Sequence, residues 1–240
     1  MEKIGMFKRS LKIIIIIFIA ISISTCIVSE KESQDNIDLR DYFIPYHTTF
    51  VENIWYNRFG FIKSRENKTV YNPGFKKEVL ENEYRYYYSD SYYIAARRDD
   101  IIENYKIRND KGEEIGKYRL ILLRKPIQDS NSWKTGLIIF NDNATQKDKN
   151  KYHNITDAIS QINILKTNAN IKVDNNLIHN CISVELTTKS LDKFRMIYIN
   201  DINDRIYYCK GRGEVRRESY KDSILGKRLV YQTNRLQLME

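Results

Sequence analysis

Apolar and polar residues alternate at every second position in short runs, and the runs are separated by Asn, Asp, Ser and Gly. That period predicts strands with one buried face rather than helices. Ile182-Ser183-Val184-Glu185-Leu186-Thr187 shows the alternation most cleanly, and Phe194 to Ile199 predicts a second strand across a polar turn at Lys189 to Asp192. Asn200-Asp201-Ile202-Asn203-Asp204 has the composition of a turn, because Asn and Asp side chains bond the local backbone. Arg205 to Cys209 then predicts a third strand, Gly211 and Gly213 break it, and Glu214 to Ser219 resumes as a fourth. Close spacing makes these four strands a meander.

Upstream, Asp41 to Phe61 is dense in aromatics, with Phe50, Trp55 and Phe59 either lining a short helix capped by Thr48 or Thr49 or packing across strands. Asn72-Pro73-Gly74 marks a turn. Tyr84 to Ala96 predicts a hairpin around Ser89-Asp90-Ser91, and Ile107 to Arg124 another that turns at Asn109 to Gly112. Trp133 to Asn141 predicts a strand whose continuous apolar run, Leu137 to Phe140, is expected to be buried on both faces. Asn141 to Asn154 reads as a polar loop, Thr156 to Leu165 as a strand in preference to a short helix, and Arg228 to Leu238 as the last strand. The expected fold is mainly β, an antiparallel meander forming a curved sheet or half-barrel with little helix. It spans 41–240, either as one domain or as two related halves, 41–125 and 126–240.

The first 26 residues have a different pattern: a basic lead with Lys3, Lys8, Arg9 and Lys12, an apolar core from Ile13 to Ile21, and a small-residue exit, Ser22-Ile23-Ser24-Thr25-Cys26. The apolar core is well short of the roughly 20 residues a spanning helix needs, and the layout is that of a signal peptide. Its exit resembles a bacterial lipobox, relaxed at Thr25, which makes Cys26 the expected lipidation site. The alternatives are cleavage elsewhere or an uncleaved anchor continuing through Ile27 and Val28. Residues 26–40 are polar and without periodicity and read as a flexible tether.

Between Leu120 and Leu236 the order of features is similar to an uncharacterised family of bacterial lipoproteins and periplasmic proteins. The matching residues are Leu123-Arg124-Lys125-Pro126-Ile127 with Ser132-Trp133, then Val173, Asn180-Cys181 with Val184-Glu185, and Tyr208-Cys209-Lys210-Gly211-Arg212-Gly213-Glu214-Val215-Arg216-Arg217-Glu218. Asp174 to Ile178 departs from the family's turn before the Asn-Cys pair, and Cys209 stands where a small residue is usual. The resemblance implies an exported location and a β fold; it implies no reaction.

Loss of residues 1–25 would leave 36 basic and 30 acidic side chains, a mild +6. The positive residues are interspersed with acids, so no nucleic-acid footprint is present. Two stretches suggest sites. Tyr84, Tyr86, Tyr87, Tyr88, Tyr92 and Tyr93 offer flat faces with polar handles, suited to sugars, peptides or interfaces, although aromatic strands more often serve packing. Lys210, Arg212, Arg216, Arg217, Lys221, Lys227 and Arg228 would suit anionic headgroups or wall polymer, against a plainer role as a charged strand edge. With a hairpin on either side of residues 194–199, Cys181 and Cys209 fall about five residues apart along the strands, and two buried free thiols are expected. His47, His153 and His179 lack ligand spacing, so no metal site or cofactor is expected, and no catalytic motif appears. The functional expectation is an exported, lipid-anchored, monomeric cell-envelope lipoprotein with a non-enzymatic binding or structural role. Its partners would be the membrane and an envelope polymer, protein or hydrophobic ligand. A lipid carrier with an apolar concave sheet, and an enzyme with a dispersed site, are the alternatives.

Overall fold

The computed structural model describes residues 37–43, 48–71, 76–152, 159–192, 197–223 and 226–237. Met1–Ile37 and Asp38–Glu240 group as two separate units. The expected signal segment, Cys26, most of the tether, His47, the Asn72-Pro73-Gly74 turn and His153 lie outside the described residues. The buried residues run from Leu39 to Asn234, so Asp38–Glu240 carries its own core.

Among the described residues a 3-10 turn at Leu39–Tyr42 precedes fourteen strands: β1 (Thr48–Tyr56), β2 (Ile62–Tyr71), β3 (Lys76–Leu80), β4 (Glu83–Ser89), β5 (Tyr92–Arg97), β6 (Asp100–Arg108), β7 (Glu114–Arg124), β8 (Ser132–Thr135), β9 (Leu137–Phe140), β10 (Ile159–Val173), β11 (Asn176–Asp192), β12 (Ile197–Cys209), β13 (Gly213–Ser223) and β14 (Gly226–Gln237). One short α-helix, α1 (Gln146–Lys151), lies between β9 and β10. The larger sheet runs β2-β1-β14-β13-β12-β11-β10-β8 and the smaller β3-β4-β5-β6-β7-β9, each antiparallel and open. Strands from both ends of the chain share the larger sheet, because β1 pairs with β14.

The two sheets part at Gly136. Its φ of +74° is a left-handed conformation that glycine adopts without a steric penalty, and it turns the chain out of β8 in one sheet and into β9 in the other. Where β7 runs past its ladder with β9, the backbone of Ile121 would be left unpaired inside the protein. Side chains on β8 take over: the Ile121 N–H donates to Thr135 Oγ1 at 2.5 Å, and Trp133 Nε1 donates to the Ile121 carbonyl at 3.0 Å. Gly116 allows the other close approach, since a Cβ there would lie 2.6 Å from the Ile139 carbonyl oxygen.

Several expectations change. The residues read as turns at Lys189 to Asp192 and Asn200 to Asp204 lie inside one long hairpin of β11 and β12, paired from Asp192↔Ile197 through Leu186↔Asp204 to Cys181↔Cys209. Polar composition misled at the second segment because two of its side chains find partners in neighbouring strands: Lys227 Nζ donates to Asn203 Oδ1 at 3.0 Å, and Arg217 pairs with Asp204 at 3.5 Å. With that register Cys181 and Cys209 are direct cross-strand neighbours, and they form a disulfide, not two free thiols. It lies in a separate small core with Ala169, Ile171, Val173, Ile178 and Val215. Leu137 and Ile139, expected to be buried, are about half exposed on the edge strand β9. Part of the Asn141 to Asn154 loop is α1, started by a capping box in which Thr145 and Asp148 bond each other's backbone N–H. Thr48 and Thr49 begin a strand and cap no helix.

Candidate functional site

Between the two sheets lies a cleft of about 450 Å³. Val51 and Thr233 line it from β1 and β14, Tyr208 from β12, Glu214 and Arg217 from β13, and Tyr88, Tyr92, Ile94 and Glu103 from β4, β5 and β6. In a regular strand residues three apart point to opposite faces. The register of β12 against β13 shifts between Tyr207 and Tyr208, inserting one extra residue that brings Glu214 and Arg217 to the same face. Their contact is bidentate, Arg217 Nη2 to Glu214 Oε2 at 2.9 Å and Nε to Oε1 at 3.2 Å, and Arg235 adds a second cation at 3.5 Å.

Electrostatics sets the two carboxylates apart. Burial alone would push the Glu214 carboxyl up, but the charges of Arg217 and Arg235 outweigh it and hold it at about 2. Glu214 in turn holds the Arg217 guanidinium well above its ordinary value. Glu103 is shifted upward, chiefly by burial, although Arg217 and hydrogen bonds from the Tyr92 and Tyr105 hydroxyls, each 3.3 Å, work against the shift. Two carboxyl groups shifted in opposite directions therefore share the cleft.

Tyr88 and Tyr92 face the cleft from the opposite sheet and begin a tyrosine row that runs on beyond it. Tyr88, Tyr92, Tyr105 and Tyr118 step across four strands with ring centroids 5.2, 4.5 and 6.0 Å apart. Burial raises the Tyr88 and Tyr105 hydroxyls to about 12 and Tyr92 higher still, so all three remain neutral donors. Tyr208 is 1% exposed, and its hydroxyl has no hydrogen-bond partner among the described residues. Burial raises it far above the ordinary tyrosine value, so it too keeps its proton.

The tyrosine run is thus split between faces. Tyr88 and Tyr92 line the cleft; Tyr86 packs on Phe43 at 5.4 Å; Tyr87 donates to Glu78 at 2.9 Å on the other side of the sheet; and cations lie over the Tyr84 and Tyr93 rings. Tyr105 and Tyr118 were missed, yet Tyr92, Tyr105 and Tyr118 recur every thirteen residues, the repeat that places them side by side over successive hairpins. The basic segment does not form one face. Arg217 is in the cleft, Arg216 bonds Asn234 at 2.8 Å, Lys210 pairs with Asp41, Lys227 with Glu185, and Lys221 and Arg228 lie near the β13–β14 turn. Exposed His179 bonds Asn170, and Cys181, tied into the disulfide, is no nucleophile beside it. Among the described residues no group of His, Cys, Asp and Glu could hold a metal ion, and no helix is long and apolar enough to cross a membrane.

No family model matches the chain, and no curated protein does. Among solved structures it is similar to a "putative lipoprotein" from Parabacteroides distasonis, at 16% identity over 82% of this chain and 98% of that one, with a TM-score of 0.31. The hypothetical lipoprotein YmcC from Escherichia coli (K12) matches at 10% identity over 90% and 95% of the two chains, also at 0.31. Both scores lie below what a common fold requires.

Proposed function

We propose that this chain is an exported lipoprotein of the cell envelope, lipid-anchored through Cys26, and that it binds a sugar-sized polar ligand with negative charge in the cleft between its sheets. The anchor rests on the sequence alone: a basic lead, a short apolar core and a lipobox-like exit at Ile23-Ser24-Thr25-Cys26. Acylation of the processed cysteine holds such a protein on a membrane surface. Incorporation of tritiated palmitate into the full chain, abolished by Cys26→Ser, tests this part; equal labelling of both refutes it.

The observation that carries the ligand is the Tyr208 hydroxyl. A buried hydroxyl without a partner is costly and calls for an explanation, and the tyrosine that carries this one lies in the wall of a cleft with Arg217, Arg235 and Lys68. A ligand hydroxyl or acid oxygen there completes the hydrogen bond, and the tyrosine rings supply flat apolar faces for a sugar ring. Charged walls of this kind disfavour a lipid tail, which would strip water from Glu214 and Arg217 and offer nothing in return. Binding is also favoured over catalysis, because the Glu214 carboxylate is tied up by two guanidinium groups. Titration calorimetry of the Glu30–Glu240 fragment against oligogalacturonate and against palmitate decides between ligand classes. The expected result is heat with the former only; binding of palmitate alone refutes the polar-ligand reading.

A further inference from the structure

The turn between β1 and β2, none of whose residues lines the cleft, displays an apolar surface that the fold does not bury. Phe59 and Phe61 are each 69% exposed and Ile62 is 46% exposed. This is not a loose loop. The Gly60 N–H donates to the Asn57 carbonyl at 3.0 Å, the Asn57 N–H to the Phe61 carbonyl at 2.8 Å, and the Asn57 side chain accepts from the Phe59 and Phe61 N–H groups. Gly60, at a φ of +82°, closes the three-residue turn in the geometry that suits a hairpin. Arg228 of β14 donates to the Arg58 carbonyl at 3.1 Å and braces the turn from the side.

The turn's own sequence carries charge of one sign. Asn57-Arg58-Phe59-Gly60-Phe61-Ile62-Lys63-Ser64-Arg65 contains three cations and no acid. Arg65 reaches Glu52 at 3.4 Å, whereas Arg58 and Lys63 are exposed and form no ion pair among the described residues. Arg58 lies over the Phe59 ring at 4.7 Å, leaving its charge beside the apolar tip. Exposed aromatic side chains on a rigid tip, with Arg58 over one ring and exposed Lys63 close by in sequence, match the boundary of an anionic bilayer, where rings sit at headgroup depth and cations meet lipid phosphates. A protein partner would need an acidic rim round an apolar pocket; a bilayer supplies both layers along any line of approach.

We infer that the β1–β2 turn dips into an anionic lipid surface and holds the domain against the membrane at a point separate from the N-terminal anchor. Vesicle co-sedimentation of the Glu30–Glu240 fragment, which lacks Cys26 and contains the self-sufficient β unit, tests this directly. The probes are phosphatidylcholine vesicles with and without phosphatidylglycerol. Wild type should bind the anionic vesicles in a salt-sensitive way. Phe59→Ser with Phe61→Ser should weaken binding by tenfold or more, from the apolar area withdrawn. Arg58→Glu with Lys63→Glu should remove the preference for anionic lipid, at about fivefold or more per charge. These side chains are exposed, so the circular dichroism and melting of both variants should match wild type. No binding by wild type, binding unchanged in the serine pair, or a dimer in solution that the serine pair dissolves would each overturn the inference.

Discussion

Replacing Tyr208 by Phe removes one oxygen from a side chain that is 1% exposed and whose hydroxyl has no partner among the described residues. In the ligand-free protein that oxygen has given up water without a replacement bond, a penalty of about 1–3 kcal/mol. The ring keeps its place beside Glu214, its neighbour across β12 and β13, and phenylalanine leaves no cavity where the ring stood. Tyr208→Phe should therefore stabilise the ligand-free domain by about 1–3 kcal/mol, raising Tm by roughly 2–4 °C per kcal/mol for a unit of this size. A ligand that bonds the hydroxyl should at the same time bind about tenfold or more weakly, since a charge-assisted or neutral hydrogen bond is lost from a buried site. Urea unfolding of the ligand-free fragment and calorimetric titration measure the two effects separately. The reasoning is refuted if the variant is less stable than wild type, because the hydroxyl is then satisfied within the fold, or if affinity is unchanged, because no ligand reaches it.

Arg217→Met strands the buried Glu214 carboxylate and should cost about 3 kcal/mol at neutral pH, the worth of holding its pKa at about 2 in place of an ordinary 4.5. That stability is present above the unfolded value and lost as pH falls through about 2, so variant and wild type should converge in acid; a difference independent of pH counts against the pairing. Cys181→Ala with Cys209→Ala opens a loop of 28 residues and should destabilise by about 3.5 kcal/mol on the chain-entropy relation, with non-reducing peptide mapping of wild type showing the linked pair. Gly116→Ala places a methyl group 2.6 Å from a backbone oxygen of β9 and should destabilise by about 1–3 kcal/mol in urea titration, with amide exchange increased in β9.

Strands were legible where apolar residues recur at every second position, as in Ile182 to Thr187, even though Ser183 on the polar face is itself buried, and turn residues marked the β4–β5 hairpin and the Asn109 to Gly112 turn. Asn200 to Asp204 shows where local composition fails. A turn and a strand with cross-sheet partners use the same Asn and Asp side chains, and the partners Arg217 and Lys227 lie in other strands. Together with the turn expected at Lys189 to Asp192, that misreading shifted the register and concealed the disulfide, since hairpins misplaced by a few residues separate cysteines that face each other. The cleft was less legible for a related reason. Glu214 and Arg217 belong together only because of a bulge, and the thirteen-residue recurrence of Tyr92, Tyr105 and Tyr118 becomes a row of neighbours only once their hairpins are aligned.

The central claim is that the cleft holds a polar ligand, and native mass spectrometry of the Glu30–Glu240 fragment tests it most directly. Wild type and Tyr208→Phe would be recorded side by side after incubation with oligogalacturonate and, separately, with palmitate. A discrete added mass from the acidic sugar on wild type, diminished on Tyr208→Phe, is the predicted result. A bare mass with the sugar and a retained palmitate on both proteins would contradict the account and make the space between the sheets a lipid site.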